Sequence, residues 1–138
     1  GVINMLLNLL TKEEKFYFID LLVKVISVDG TTNEMEMQII NKLKYEMGDD
    51  ALRYRKSNLS LEKLIDYFAT KPKVTKNLVF LNLLSASLAD EFYSVEEHFL
   101  LEQIQNSLEI PRKKRTELVK AVYADRDLRE KVKRIISE

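Results

Sequence analysis

The apolar positions between residues 16 and 26 nearly encircle a helix, with Phe16, Phe18, Ile19, Leu21, Leu22, Val23, Val25 and Ile26 among them. A capping box precedes them, because Thr11 is followed three residues later by Glu14. Gly30 supplies the left-handed residue that favours a helix end. A helix that is apolar on nearly every side is normally buried, so we predict that this one is central. Its polar strip predicts an ion pair between Asp20 and Lys24, four residues apart.

A second strongly apolar helix is predicted from about Lys73 to Ala89, just after Pro72, a residue that suits a first helical turn. Apolar spacing and cap residues predict the remaining helices, over 33–48, 60–69, 94–108, 111–124 and, starting near Asp125, the C-terminal residues that carry Leu128, Val132, Ile135 and Ile136. A broken helical segment is expected over 51–56. No stretch shows the alternation of a strand. The pattern predicts an all-α compact bundle of about seven helices, in which the helices around 16–28 and 78–89 pack together.

The sequence repeats itself at a shift of 61 residues. Asp29 falls on Asp90, and the cap residue Asn33 falls on Ser94. Glu36 falls on Glu97, and the neighbouring apolar positions also coincide. Each half, about 11–48 and 72–109, reads as a buried helix, an acidic turn and a capped amphipathic helix. We therefore predict one domain over 1–138 in which the two halves pack with pseudo-two-fold symmetry.

The two turns read VDGTTNEME over 28–36 and ADEFYSVEE over 89–97. This pattern resembles the TerB family of tellurite-resistance-type helical domains, which also occur in membrane-anchored DjlA-type co-chaperones. The resemblance spans roughly Thr11 to Ala124. It implies an all-helical fold, no catalysis, stress-linked biology and an acidic metal site. The second copy departs from the pattern at Glu91, where the first has Gly30, so the two turns are not expected to be identical.

The four repeated carboxylates, Asp29, Glu36, Asp90 and Glu97, have two interpretations. If the pseudo-symmetry brings them together, they form an oxygen-ligand site for Ca²⁺ or Mg²⁺. Alternatively, the two glutamates are helix caps and the two aspartates hold turns through bonds to the backbone. The spacing excludes an EF-hand, whose loop needs a glycine at position six and a glutamate at position twelve.

The amino-acid composition limits the cellular compartments and the kinds of site that fit this chain. The chain has no cysteine, which excludes disulfides, thiolate metal sites and cysteine nucleophiles and is compatible with a cytoplasmic location. The 22 basic and 22 acidic residues cancel, so no overall field favours nucleic acid. The apolar runs are too short for an integral membrane protein. The apolar stretch from Val2 to Leu10 has no charged leader or small-residue cleavage site, so no secretory signal is expected.

Two further features carry candidate chemistry. His98, the only histidine, forms an i, i+4 pair with Glu102, but no partner motif for a di-iron site or a catalytic triad accompanies it. The basic run from Arg112 to Arg115 could contact phosphates, yet no aromatic residues interleave with it, which favours a solvated face.

The sequence thus predicts a non-enzymatic, stress-related module that binds a partner protein. Membrane-associated proteins are among the candidate partners. Ca²⁺ or Mg²⁺ is the candidate ligand of the acidic turns. A metal-dependent enzyme that uses the same carboxylates is the alternative. The third and least favoured hypothesis is a nucleic-acid-binding protein that acts through residues 112–115. Because the overall charge is balanced, we expect no specific DNA or RNA binding.

Overall fold

A computed structural model describes residues 6–30, 34, 37–38, 41, 43, 45, 47–88 and 93–138. Two short 3-10 helices cover Leu7–Leu9 and Asp49–Arg53. Five α-helices account for most of the remainder: α1 Lys12–Ile26, α2 Leu61–Ala69, α3 Lys73–Leu88, α4 Val95–Ser107 and α5 Arg112–Ser137. The described part of the chain contains no strand, which confirms the all-α prediction.

Local signals in the sequence set the bounds of α1. The Thr11 hydroxyl accepts from the Glu14 amide at 3.1 Å, and the Glu14 carboxylate accepts from the Thr11 amide at 2.8 Å, which completes the predicted capping box. Past the last turn, Gly30 has a φ of +100° and its amide donates to the Ser27 carbonyl at 3.0 Å. The turn therefore uses the positive φ that glycine adopts without a steric penalty.

The two most apolar helices form the centre of the molecule, as the sequence predicts. α1 packs against α2, α3 and α4, while α3 contacts α1, α2, α4 and α5. Leu22 on α1 and Leu83 on α3 have no exposed surface, and Phe18, Phe68 and Phe80 are the largest of the fully buried side chains. One continuous core thus joins all five α-helices.

The polar strip of α1 serves a different purpose from the one expected. Asp20 is buried, and its carboxylate accepts from the Tyr54 hydroxyl and, at 2.6 Å, from the Ser57 hydroxyl. The Ser57 amide adds a third bond at 3.2 Å. The ion pair expected with Lys24 is not among the contacts of the described residues. Asp20 instead attaches the segment after the second 3-10 helix to α1.

The chain after Pro111 forms one helix where two were predicted. α5 runs for 26 residues without interruption. No glycine or proline occurs from Arg112 to the C-terminus, so nothing in the backbone stops the helix. Asp125, expected to cap a new helix, pairs with Arg129 at 2.9 Å inside the continuous one. This fusion lowers the helix count below the predicted seven.

A tight turn at residues 108–111 joins α4 to α5. The Ile110 amide donates to the Gln105 carbonyl at 3.0 Å, and the Glu109 amide donates to the Asn106 carbonyl at 3.1 Å. This is the Schellman arrangement, in which glycine usually occupies the left-handed position. Glu109 occupies it here, with a φ of +56°. The turn therefore carries backbone strain.

Part of the predicted repeat lies outside the described residues. The described positions between 34 and 45 are all helical, in agreement with the helix predicted over 33–48, but its bounds are not defined. The second acidic turn, 89–92, is not described. The pseudo-two-fold repeat therefore stays a prediction. No helix in the described ranges combines the length and the apolar character needed to cross a bilayer.

Candidate functional site

Two of the four repeated carboxylates are described, and their environments differ. Asp29 lies in the turn after α1 and is exposed. Glu97 is at the third position of α4 and is only 2% exposed, with its amide donating to the Ser94 hydroxyl at 3.1 Å. Ser94 is thus the predicted cap of α4. Glu36 and Asp90 lie outside the described residues.

No group of three or more histidine or acidic side chains suited to a metal ion occurs among the described residues. Because two of the four candidate ligands are outside that set, the four-carboxylate site stays a hypothesis. The burial of Glu97 means that any ion bound to it would have to be largely desolvated.

His98 lies in a polar cluster at the edge of α4. Its Nε2 atom is 3.4 Å from the Glu102 carboxylate, and its Nδ1 atom is 3.3 Å from the Tyr93 hydroxyl. Burial raises the pKa of the Tyr93 phenol, opposed by the nearby positive charge of Arg115 and reinforced by the negative charges of Glu97 and Glu102. The cluster therefore combines acidic and basic groups that meet between α4 and α5.

The structure divides the basic run 112–115 between two surfaces. Arg112 and Arg115 face a cleft between α4 and α5, where Arg115 donates to the Gln105 side-chain oxygen at 2.7 Å. Lys113 and Lys114 do not line this cleft, and Lys114 pairs with Glu117 at 3.2 Å. The run is thus not one continuous basic face.

The C-terminal part of α5 presents an uncovered apolar surface. After Val122 no residue of the helix is buried. Four exposed apolar side chains share one face at spacings of four, three and one, and we call them the apolar stripe: Leu128 at 61%, Val132 at 41%, Ile135 at 60% and Ile136 at 77% exposed. Aligned apolar side chains on a free helix face are typical of a surface that binds another helix.

Charged residues frame the apolar stripe. By helical geometry Arg129 lies along one edge and Lys131 along the other. Asp125 continues the line of the stripe one turn towards the N-terminus, where it pairs with Arg129. The charged side chain nearest each edge of the stripe is therefore a cation, with Asp127 and Glu138 farther out on the Lys131 side.

No family model, curated protein or solved structure gives a significant match to this chain.

Sequence reasoning found the residues of the stripe but did not place them on an exposed surface. The spacing of Leu128, Val132 and Ile135 indicated an amphipathic helix, and only the packing of α5 shows that this face is uncovered. The sequence also contains a signal for the cleft. Helical periodicity places Arg112 and Arg115 on one side of the helix and Lys113 on another.

Proposed function

We propose that this chain is a non-enzymatic helical interaction module that binds an amphipathic helix of a partner protein along the apolar stripe. The observation that carries the proposal is the exposure of four aligned apolar side chains in the C-terminal part of α5. Burying such side chains against a partner contributes up to about 1.5–3 kcal/mol each. The resemblance to TerB-type domains supports a stress-related role and a cation at the acidic turns as further parts of the proposal.

The charges along the stripe select the kind of partner. If two copies of α5 paired in an antiparallel orientation, Arg129 would lie near Arg129 of the other copy and Lys131 near Lys131 of the other copy. A parallel pair would bring the two Asp125 carboxylates together on the contact line. Like charges in these positions destabilise a helix pair. A partner helix with acidic residues beside its apolar face would instead attract both edges, and this is the occupant we propose.

Local ion pairs stabilise the helical form of the C-terminal part of α5. Arg129 with Asp125 and Lys133 with Glu130, at 3.2 Å, each stabilise an exposed helix by about 0.2–0.5 kcal/mol. An isolated helix of this length is only marginally stable in water. Binding a second helix would therefore also order this segment, and the protection of its amides from exchange should rise.

The test uses two synthetic amphipathic peptides with the same leucine and isoleucine face. One carries glutamates beside that face and the other carries lysines. Fluorescence anisotropy should show binding of the acidic peptide and a much weaker signal for the basic one. The double variant Leu128→Ala/Ile135→Ala should weaken binding by about tenfold or more, because each of the two truncated side chains loses most of its apolar contact with the peptide.

A matched control is Val74→Ala/Val95→Ala, which removes exposed apolar groups from α3 and α4 and should leave binding unchanged. Equal affinity for both peptides, or equal losses in both variants, would contradict the proposed surface. Sedimentation of the chain alone gives a further check. A dimer abolished by Leu128→Ala/Ile135→Ala would show that a second copy is the occupant. Binding of the apolar stripe to neutral vesicles would indicate that a membrane, and not a partner helix, covers it.

A further inference from the structure

A cleft of about 620 Å³ opens between α4 and α5. Both helices pack against α3, and the turn at 108–111 joins them. α5 contributes Arg112, Arg115 and Lys120 to one wall. α4 contributes His98, Glu102 and Gln105 to the other. We call this the cationic cleft, and it involves none of the residues of the stripe.

The charge of the cleft is unbalanced. Among the described residues that line the cleft, three permanent cations on α5 face one carboxylate, that of Glu102, which lies 3.4 Å from His98. Arg112 and Lys120 are exposed and have no ion pair among the described residues. Cations gathered in a concave site repel one another and attract an anion more strongly than they would on a flat surface.

One of the arginines is held in place by a buried amide. Gln105 is 9% exposed, and its side-chain nitrogen donates to the Ile110 carbonyl at 3.1 Å. This bond fixes the amide so that its oxygen accepts from Arg115 at 2.7 Å. Arg115 uses one nitrogen in that bond, and a guanidinium has five N–H donors in all. Its position in the cleft is therefore preorganised, which lowers the entropic cost of binding a ligand.

From this arrangement we infer that the cationic cleft binds a phosphoryl group, supplied by a small phosphate monoester or by a phospholipid headgroup. The planar fork of arginine donates two parallel hydrogen bonds to phosphate oxygens, and two arginines three residues apart on one helix can share one group. The volume admits a phosphoryl group together with a short organic substituent, and Val119 provides an apolar patch on the lining. Glu102 opposes the anion and limits its affinity.

The test titrates the ¹⁵N-labelled chain with inorganic phosphate and with glycerol 3-phosphate at constant ionic strength, followed by amide chemical shifts. Shifts should concentrate at the ends of α4 and α5 that line the cleft, and glycerol should cause none. Arg112→Gln/Lys120→Gln should weaken binding by about tenfold or more, since it removes two charge-assisted contacts. Neither side chain forms a hydrogen bond or an ion pair among the described residues, so this variant should fold normally.

Lys113→Gln/Lys114→Gln is the matched control, because it removes two positive charges from the same helix outside the cleft. The affinity for phosphate should change by less than about threefold, because charges outside the cleft act on the ligand only through screened, long-range electrostatics. Glu102→Gln should tighten phosphate binding, because it removes the one carboxylate among the described residues of the lining. Equal losses in the two double variants, or weaker binding after Glu102→Gln, would overturn the inference.

Vesicles with and without phosphatidic acid distinguish the two sources. Binding to phosphatidic acid vesicles that is lost in Arg112→Gln/Lys120→Gln, with little binding of glycerol 3-phosphate, assigns the phosphoryl group to a lipid. The converse result assigns it to a soluble monoester. Absence of both would exclude the site while leaving the peptide experiment on the apolar stripe unaffected.

Discussion

The phenol hydroxyl of Tyr54 donates a hydrogen bond to the carboxylate of Asp20, which precedes it by 34 residues in the chain. Ser57 donates to the same carboxylate from both its hydroxyl and its backbone amide. A buried carboxylate with three donors is well satisfied, and it ties the segment after the 3-10 helix at Asp49–Arg53 to the central helix.

We expect Asp20→Ala to lower the free energy of unfolding by about 1.5–3 kcal/mol, because it leaves the buried Tyr54 hydroxyl and the Ser57 donors without their acceptor. Urea denaturation measures the change. Asp66→Ala, at an exposed position on α2, is the control and should stay within about 0.5 kcal/mol of wild type. Similar losses in both variants would mean that Asp20 has no special structural role.

Leu22→Ala on α1 and Leu83→Ala on α3 should each destabilise the fold by about 2–5 kcal/mol, because both side chains are fully buried. Ile136→Ala should change stability by less than about 0.5 kcal/mol, since that side chain is largely exposed. Chemical denaturation of the three variants gives the comparison. A change below about 0.5 kcal/mol in both buried variants is incompatible with a central α1–α3 contact.

Glu109→Gly should stabilise the chain by up to about 1 kcal/mol. Glu109 has a left-handed backbone conformation that costs an L-residue energy and that glycine adopts freely, although glycine also gains entropy in the unfolded state. Glu109→Ala removes the same charge but keeps the Cβ atom, so it should give no comparable gain. Thermal unfolding distinguishes the two, and a gain of equal size for alanine would point to charge as the cause.

Stability at alkaline pH should depend on Tyr67. Burial raises the pKa of the Tyr67 phenol, helped by its hydrogen bond to the Glu13 carboxylate at 3.0 Å. A raised pKa in the folded state means that folding favours the neutral phenol. This contribution is fully present below the ordinary tyrosine pKa of about 10 and is lost as the pH rises through the folded-state value.

Tyr67→Phe should therefore weaken the fall in stability above about pH 10. Denaturation of wild type and variant between neutral and alkaline pH measures this effect. Tyr45→Phe, at an exposed position, serves as the control. Parallel pH profiles for wild type and Tyr67→Phe would show that Tyr67 does not contribute to the alkaline loss.

The four-carboxylate hypothesis predicts that millimolar Ca²⁺ or Mg²⁺ raises the Tm of the wild type, since a ligand bound only by the folded state stabilises it. Asp29→Asn/Asp90→Asn should lose this response. No rise in the wild type, or an equal rise in the double variant, would remove the cation from the proposal. Glu97 would then act at the start of α4 without a metal, near the Ser94 cap seen here.

Much of the fold follows from short-range signals in the sequence. The capping box at Thr11 and Glu14, the serine caps at Ser60 and Ser94 and the positive φ of Gly30 all involve groups within four residues of one another. The physical reason is that helix ends are determined by their own first and last turns. The burial of α1 and α3 follows in the same way, because a helix that is apolar on nearly all sides must lie inside the core.

The tertiary structure alone decided which distant groups meet and which faces remain open. Nothing local in the sequence pairs Asp20 with Tyr54 in preference to Lys24, since that choice depends on where the segment after residue 53 packs. The spacing of Leu128, Val132 and Ile135 is the same for a buried helix and for a free one. These side chains are exposed because the buried residues of α5 end at Val122, and the helix continues past the core that could have covered them.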